Sequence, residues 1–246
     1  MKPTTGEIAE FASLLRGAGR AVVFTGAGMS TESGLPDFRS AGGLWKANHG
    51  FEELASRNAI ETSYAEFVEF YRWRIQMLNA HEPHAGHRVL AEWQRRGLVA
   101  TIITQNVDGY HTTAGADRVL ELHGTLRHVR CENCGGERPS DEFLRVDGFC
   151  CPCGGKRRPM VVLFGEMLPD AVLAAAAKAS ETAQLFIVLG SSLQVSPANS
   201  LPNLALVGGA TLVIVNREPT PFGSRASLDM RGSIGETLQA VERLLG

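Results

Sequence analysis

Short runs of β-branched and large apolar residues alternate along this chain with stretches whose apolar residues recur at helical spacing. Alternation of buried strands with helices is typical of an α/β fold built on a mostly parallel sheet. The apolar runs predict strands over residues 21–25, 99–104, 119–122, 161–164, 184–189 and 211–215. The helical stretches cover residues 6–16, 64–78, 84–96, 169–180 and 234–245.

Glycines and polar residues follow most of the predicted strands directly. In open parallel sheets, ligands bind outside the carboxyl ends of the strands. The sequence therefore predicts that five strand ends converge on one polar site. Its members are Gly26, Ala27 and Gly28, then Gln105, Asn106 and Asp108, then His123, then Gly190, Ser191 and Ser192, and finally Asn216.

Two segments interrupt the α/β alternation. Residues 127–159 contain two cysteine pairs with several Gly and Pro, and residues 42–78 carry helical patterns without a strand. We therefore predict a small domain assembled from these two segments, inserted into an α/β domain made of residues 1–41, 79–126 and 160–246.

The cysteines lie close together in the sequence, in the inserted segment. Cys131 and Cys134 are separated by two residues, as are Cys150 and Cys153, and fifteen residues lie between the pairs. This spacing matches a tetrahedral site in which four thiolates hold a structural Zn²⁺ and leave no position for water. Cys151 is an alternative third ligand, but Cys150 keeps the two-residue gap of the first pair and is the ligand we predict.

Composition excludes several classes of protein. The 246 residues are 44% hydrophobic and 20% charged, as in ordinary globular chains, and 24 basic against 26 acidic residues give a net charge of −2. This balance argues against a dedicated nucleic-acid-binding protein. Because the sequence shows no signal-peptide pattern and no apolar run near the roughly 18 residues that a membrane helix needs, we expect a cytoplasmic protein with no membrane partner.

The glycine-rich turn after the first strand continues into a long polar loop. Gly26 and Gly28 let backbone approach a phosphate, although a tight structural turn would need the same residues. A dinucleotide fingerprint would place a third glycine where this chain has Thr31, which makes an ordinary dehydrogenase doubtful. The loop ends in Phe38 and Arg39, an aromatic ring and a guanidinium suited to covering a sugar and meeting a phosphate.

The loop as a whole, GAGMSTESGLPDFR over residues 26–39, resembles the signature loop of the sirtuins, which are NAD-dependent protein-lysine deacylases. The resemblance continues in TQNVD (104–108), LHG (122–124), RPMVVLFGE (158–166), LGSSLQV (189–195) and VIVN (213–216), and in the paired cysteines. It implies a Rossmann-like parallel-sheet domain, a smaller inserted zinc-binding lobe, and a cleft between them where NAD meets an acylated lysine.

The resemblance assigns residues to each part of that cleft. Val162 and Phe164 are implied for the acyl-lysine tunnel, while Gly165, Glu166, Met167 and Val195 are implied to contact an extended peptide main chain. The implied NAD-binding residues are Gly26, Ala27, Gly28, Thr31, Phe38, Arg39, Gln105, Asn106, Val107, Asp108, His123, Gly190, Ser191, Ser192, Asn216, Arg217, Ser233 and Ile234.

A mechanism is implied as well. The acyl-lysine oxygen attacks C1′ of the nicotinamide ribose, which displaces nicotinamide and forms an alkylamidate. His123 is then the general base for the ribose 2′-hydroxyl, directly or through the 3′-hydroxyl, and Asn106 meets the ribose and an ordered water. NAD is consumed, and the products are free lysine, nicotinamide and O-acyl-ADP-ribose.

The sequence carries conflicting signals about which acyl group is removed. Tyr71 and Arg74 share a helix face and resemble the pair with which one sirtuin branch binds succinyl and malonyl groups. That branch typically has threonine where this chain has Asp37, and the signature loop is more similar to the bacterial deacetylases. We therefore expect a protein-lysine deacetylase acting on acyl-lysine peptide segments. A desuccinylase or demalonylase, and a mono-ADP-ribosyltransferase, are the alternatives.

Overall fold

A computed structural model describes residues 2–48 and 50–246 of the chain. Its strands form a six-stranded parallel sheet in the order β3-β2-β1-β7-β8-β9 and a three-stranded antiparallel sheet in the order β5-β4-β6. Read along the chain, the larger order is the 3-2-1-4-5-6 order of Rossmann sheets, whose ligand crevice lies where the order reverses, between β1 and β7. The strands are β1 (Ala21–Thr25), β2 (Val99–Thr104), β3 (Val119–Glu121), β4 (Gly124–Cys131), β5 (Glu137–Pro139), β6 (Arg157–Val161), β7 (Leu185–Leu189), β8 (Thr211–Val215) and β9 (Leu228–Met230).

Helices cover both faces of the large sheet and the open side of the small one. One face packs against α1, α6 and α10 through residues such as Phe11, Trp93 and Leu238, and the other against α8 and α9 through Ala176 and Ala205. The helices are α1 (Thr5–Gly17), α2 (Leu44–Ala47), α3 (Gly50–Leu54), α4 (Arg57–Thr62), α5 (Tyr64–Asn79), α6 (Ala85–Arg95), α7 (Tyr110–Thr113), α8 (Asp170–Glu181), α9 (Leu201–Val207) and α10 (Ile234–Leu245).

The predicted fold class is confirmed, and the five predicted helices agree with α1, α5, α6, α8 and α10 to within about two residues. The strand predicted over residues 161–164 is wrong in place. Strand β6 ends at Val161 and belongs to the antiparallel sheet, and Phe164 forms only an isolated bridge with Ser56. Val161 and Leu163 of this run are buried in the core under the small sheet, so hydrophobicity alone did not reveal which sheet the run joins.

A separate core lies under the small sheet. Phe67, Tyr71 and Ile75 from α5 pack with Val129 of β4 and Phe143, all buried. These residues form an apolar stripe along α5 that joins the helix to β4, the strand that ends at Cys131. The division into two domains at the boundaries given above stays a prediction. None of the helices in the described part of the chain is long and apolar enough to cross a membrane.

Candidate active site

A cleft of about 560 Å³ opens at the carboxyl ends of the large sheet's central strands, with the small sheet along its other wall. It brings together most of the residues predicted to bind NAD or peptide. They are Gly26, Ala27, Gly28, Thr31, Phe38, Arg39, Gln105, Asn106, Val107, His123, Val162, Phe164, Gly165, Glu166, Gly190, Ser191, Ser192, Val195, Asn216, Arg217 and Ile234.

Three predicted site residues lie outside this lining. Asp108 lines an adjoining small pocket of about 50 Å³ instead. The Ser233 hydroxyl donates to Glu32 Oε2 (2.8 Å) and accepts from Glu236 N (3.1 Å), so it caps α10. Met167 is 83% exposed beyond the cleft's edge.

Close backbone packing explains the glycines at the floor of the cleft. Gly28 N donates to Gly190 O at 2.9 Å, and a Cβ on Gly28 would lie 2.8 Å from Gly190 Cα. Gly190 has φ +62°, and a Cβ there would lie 2.3 Å from Met29 N. Side chains at these positions would push the loop away from the end of β7. The two glycines therefore let the main chains of both strand ends pack closely together at the floor of the cleft.

A buried hydrogen-bonded chain lies beneath the loop. Asn106 Nδ2 donates to Ser30 Oγ (3.1 Å), and Ser30 Oγ donates to Asp108 Oδ2 (2.7 Å). Tyr110 N donates to the other carboxylate oxygen (2.9 Å). Burial raises the pKa of Asp108, while these hydrogen bonds act in the opposite direction. Sequence reasoning missed Ser30, whose position within the signature loop was its only signal.

The ring of His123 is held by a hydrogen bond to a main-chain carbonyl. Its Nδ1 lies 2.9 Å from the carbonyl oxygen of Gln105, which can only accept, so Nδ1 carries the proton and Nε2 is left basic. Burial lowers the pKa of His123, and the bond to Gln105 partly offsets this. The imidazole is therefore neutral at neutral pH and able to accept a proton in the cleft.

Aromatic rings and a guanidinium form the outer wall. The Phe38 ring lies 4.9 Å from that of Trp45, which lies 6.1 Å from that of Phe164. The Arg74 guanidinium lies 5.3 Å from the centre of the Phe38 ring. Trp45 was not predicted as a site residue. Its only signal was its place in an insertion close to the loop.

Four sulfur atoms lie within 4.8 Å of one another, and they belong to Cys131, Cys134, Cys151 and Cys153. The Cys131–Cys153 and Cys134–Cys151 sulfur distances are 3.5 Å and 3.7 Å. Tetrahedral ligands about 2.3 Å from a zinc ion lie about 3.8 Å apart, so the four thiols fit Zn²⁺ with little movement.

The structure brings Cys151, and not the predicted Cys150, into this group of four sulfurs. Cys150 pairs with Lys156 in an isolated antiparallel bridge, where the chain is extended. The turn that follows is closed by Cys151 N donating to Gly155 O and Gly154 N donating to Cys151 O. This turn brings the sulfurs of Cys151 and Cys153 to the other pair. Because successive side chains of extended backbone point to opposite sides, the side chain of Cys150 points away from that of Cys151.

Comparison with known proteins finds relatives that match nearly the whole chain. The model of the Sir2 family matches residues 26–197. The NAD-dependent protein deacetylase 1 of Geobacillus kaustophilus is 52% identical over 236 residues, which cover 95% of this chain and 96% of that protein.

Solved structures agree. A Sir2 structure with a deacetylated p53 peptide and 3′-O-acetyl-ADP-ribose superposes with a TM-score of 0.91 at 35% identity, covering 96% of this chain and 98% of its own. A Sir2 homologue bound to NAD gives a TM-score of 0.88 at 36% identity, covering 97% and 95%. The chain therefore belongs to the Sir2 family, the sirtuins that its signature loop resembles.

Proposed function

We propose that this protein is an NAD-dependent protein-lysine deacetylase, which transfers the acetyl group of a lysine to ADP-ribose and releases nicotinamide. One observation carries the proposal: His123 presents a neutral, basic Nε2 to a cleft that the glycine loop and the peptide-contacting segment share. The relatives named as deacetylases, and the Sir2 structure with deacetylated peptide and acetyl-ADP-ribose, support the same activity.

The NAD half of the cleft has matching chemistry. NAD supplies the ribose that receives the acetyl group and the nicotinamide that leaves. The closely packed backbone at Gly28 and Gly190 lines the floor of the cleft, and the Arg39 guanidinium in the same lining would meet the phosphates. Asp108 in the adjoining pocket would hold the nicotinamide carboxamide, and Phe38 would shield the ribose from water.

Proton transfer falls to His123 in this proposal. With Nδ1–H fixed on Gln105 O, Nε2 takes the proton of a ribose hydroxyl and becomes an imidazolium that the same hydrogen bond stabilises. Asn106, whose amide is already oriented by Ser30, orients the ribose and a water beside it. General-base assistance of this kind contributes about 10²–10⁴ in rate.

An extended acyl-lysine peptide fits the opposite wall. Gly165 has φ +90°, and Phe164 and Met167 beside it are 43% and 83% exposed. We propose that the peptide main chain pairs with this edge and with Val195 across the cleft, while its acyl-lysine passes between Val162 and Phe164. Recognition through main-chain atoms leaves the substrate's side chains largely free.

One observation favours a second candidate, removal of succinyl or malonyl groups. Tyr71 and Arg74 both line the cleft, and no carboxylate in residues 2–48 and 50–246 lies within 4.0 Å of the Arg74 guanidinium. Burial lowers the pKa of Arg74 and raises that of Tyr71 to about 12. A half-buried guanidinium that forms no ion pair, and feels only the more distant charge of Asp108, is suited to an acyl carboxylate.

The two candidates are separated by mass spectrometry of matched acetyl-lysine and succinyl-lysine peptides, incubated with and without NAD, with nicotinamide and O-acyl-ADP-ribose followed together. Acetyl loss only with NAD supports the deacetylase. Preferential succinyl loss would make Tyr71 and Arg74 carboxylate-binding residues. Nicotinamide release with ADP-ribose left on protein and neither peptide deacylated would indicate ADP-ribosyl transfer.

We also propose a cytoplasmic location. The five cysteines are free thiols, and four of them form a site that needs thiolates. Thiols persist in reducing compartments, whereas secreted chains convert them to disulfides. Fluorescence microscopy of a tagged chain, with fractionation as the second readout, checks the location.

A further inference from the structure

We propose that Arg158 is a positioning residue for the deacylation reaction. It holds the docking segment, defined as residues Val162–Glu166, at a fixed place relative to His123. The inference rests on the proposed function, because the docking segment is the edge to which we assign the peptide.

Main-chain hydrogen bonds fix the docking segment at two points. At its start, Val162 N donates to the carbonyl oxygen of His123 itself at 2.8 Å. Further on, Phe164 N donates to Ala55 O (2.9 Å) and Arg57 N donates to Phe164 O (3.0 Å). The segment that contacts the peptide is therefore hydrogen-bonded directly to the main chain of His123, the general base.

The end of the docking segment is a turn that a carboxylate closes. Glu166 N donates to Leu163 O, and Leu163 N donates to Glu166 Oε2, both at 3.0 Å. Gly165 between them has φ +90°, a conformation that side chains disfavour. The Glu166 carboxylate therefore adds a side-chain hydrogen bond to the main-chain bond that closes this turn.

Arg158 holds that carboxylate. Its Nη1 and Nη2 donate to Glu166 Oε1 (2.7 Å) and Oε2 (2.9 Å), and Nη2 also reaches Val161 O (3.2 Å). The Arg158 side chain is only 3% exposed. Bidentate pairs of this kind fix orientation as well as charge. Although burial raises it, the pKa of Glu166 is held below its usual value by Arg158 and by Leu163 N.

A second carboxylate completes the support. Glu132 Oε1 lies 3.4 Å from Arg158 Nε and 3.5 Å from Arg130 Nε, and Glu132 also pairs with Arg57. Arg130 lies opposite Arg158 in the β4–β6 register, yet its side chain is 43% exposed and it does not pair with Glu166. The chain therefore offers a matched control, a neighbouring arginine in the same cluster without the bidentate contact.

The consequence concerns peptide binding. A lysine ammonium cannot reproduce the fork, so Arg158→Lys keeps the charge and releases one Glu166 oxygen. The turn then shifts, and with it the main chain that the peptide pairs with. The loss of one or two main-chain hydrogen bonds to the peptide raises its KM about tenfold. NAD contacts on the far wall do not depend on this turn.

The test compares wild type, Arg158→Lys, Glu166→Gln and the control Arg130→Lys by steady-state kinetics on an acetyl-lysine peptide, NAD affinity by calorimetry, and thermal unfolding. We expect Arg158→Lys and Glu166→Gln each to lower kcat/KM for peptide about tenfold or more, mainly through KM. NAD affinity should stay within about twofold. The double variant should lose no more than either single variant, since both break one contact.

With an active wild type, three outcomes would overturn the proposal. One is unchanged peptide KM in both variants with an active wild type, which would leave the proposed function standing. Another is an equal loss in Arg130→Lys, and the third is a fall in Tm with normal peptide kinetics, which would make Arg158 purely structural. An inactive wild type would overturn the proposed function together with this inference. Should Arg158→Lys fail to fold, Glu166→Gln, which is nearly isosteric, decides the question.

Discussion

Replacing Cys150 and Cys151 separately by serine tests the metal site most sharply, because the two thiols are adjacent and only one belongs to the sulfur cluster. Sequence spacing favours Cys150 as the ligand, and the geometry assigns Cys151. We expect Cys151→Ser to lose zinc and stability. Cys150→Ser is the matched control, because it makes the same exchange of sulfur for oxygen at an exposed thiol one residue away.

The size of the effect follows from the four-thiolate geometry. Structural zinc sites bind with about 10–16 kcal/mol, or about 2.5–4 kcal/mol per ligand when divided over four, which is roughly 10²–10³ in Kd. At free zinc about 100-fold above Kd, the bound ion stabilises the folded chain by about 2.7 kcal/mol. A Kd weakened roughly 10²–10³-fold leaves about 0.1–0.4 kcal/mol of this stabilisation. The loss of about 2.3–2.6 kcal/mol corresponds to a Tm lower by roughly 5–10 °C for a chain of this size.

The assay combines metal content after dialysis with thermal unfolding in zinc buffered at that concentration. Cys150→Ser should keep one zinc per chain and change stability by no more than about 0.5 kcal/mol. Zinc loss confined to Cys150→Ser would restore the paired ligand set predicted from the sequence. Retention of zinc by both variants, with equal Tm, would refute the four-thiolate site itself.

Three further predictions concern the cleft and its surroundings. His123→Ala should keep the fold and NAD affinity by calorimetry but lower kcat by about 10²–10⁴, and near-normal turnover would remove His123 as the base. Gly190→Ala should raise KM for NAD and cost about 1–2 kcal/mol, because its φ is +62° and its Cβ would meet backbone of Met29; an unchanged KM and urea midpoint would contradict this. Burial lowers the pKa of His87 to about 2 and of His111 to about 3, so both are neutral in the folded protein. Because the unfolded chain binds these protons first, the free energy of unfolding has its full value above pH 6.5 and falls as the pH drops toward those values. Between pH 7.5 and 5.5 wild type should therefore lose about 1.4 kcal/mol more than His111→Asn in urea unfolding, and parallel pH profiles would show that His111 titrates normally.

Much of the fold and of the cleft was readable from the sequence for identifiable reasons. The apolar runs of β1, β2, β7 and β8 are five or six residues long, and each is followed directly by glycine or a polar residue, so both the strands and the residues at their carboxyl ends stand out. Parallel pairing then brings those ends to one edge without further information. The polar residues after the strands line the cleft for this reason.

What the sequence could not show depends on how the chain turns. Strand β9 is three residues long, Leu228–Met230, too short for a periodic signal, and it is fixed by pairing with β8. The choice between Cys150 and Cys151 depends on the turn through Gly154, which spacing does not describe. Ser30 became significant only when folding placed its hydroxyl between Asn106 and the Asp108 carboxylate.

His123 has one hydrogen bond to each half of the molecule. Its ring is bonded to Gln105, which follows β2 of the large sheet, and its carbonyl oxygen is bonded to Val162, which follows β6 of the small sheet. Any relative movement of the two sheets would therefore strain one of these bonds. The orientation of the base, and with it proton transfer, depends on how firmly the two sheets are held together.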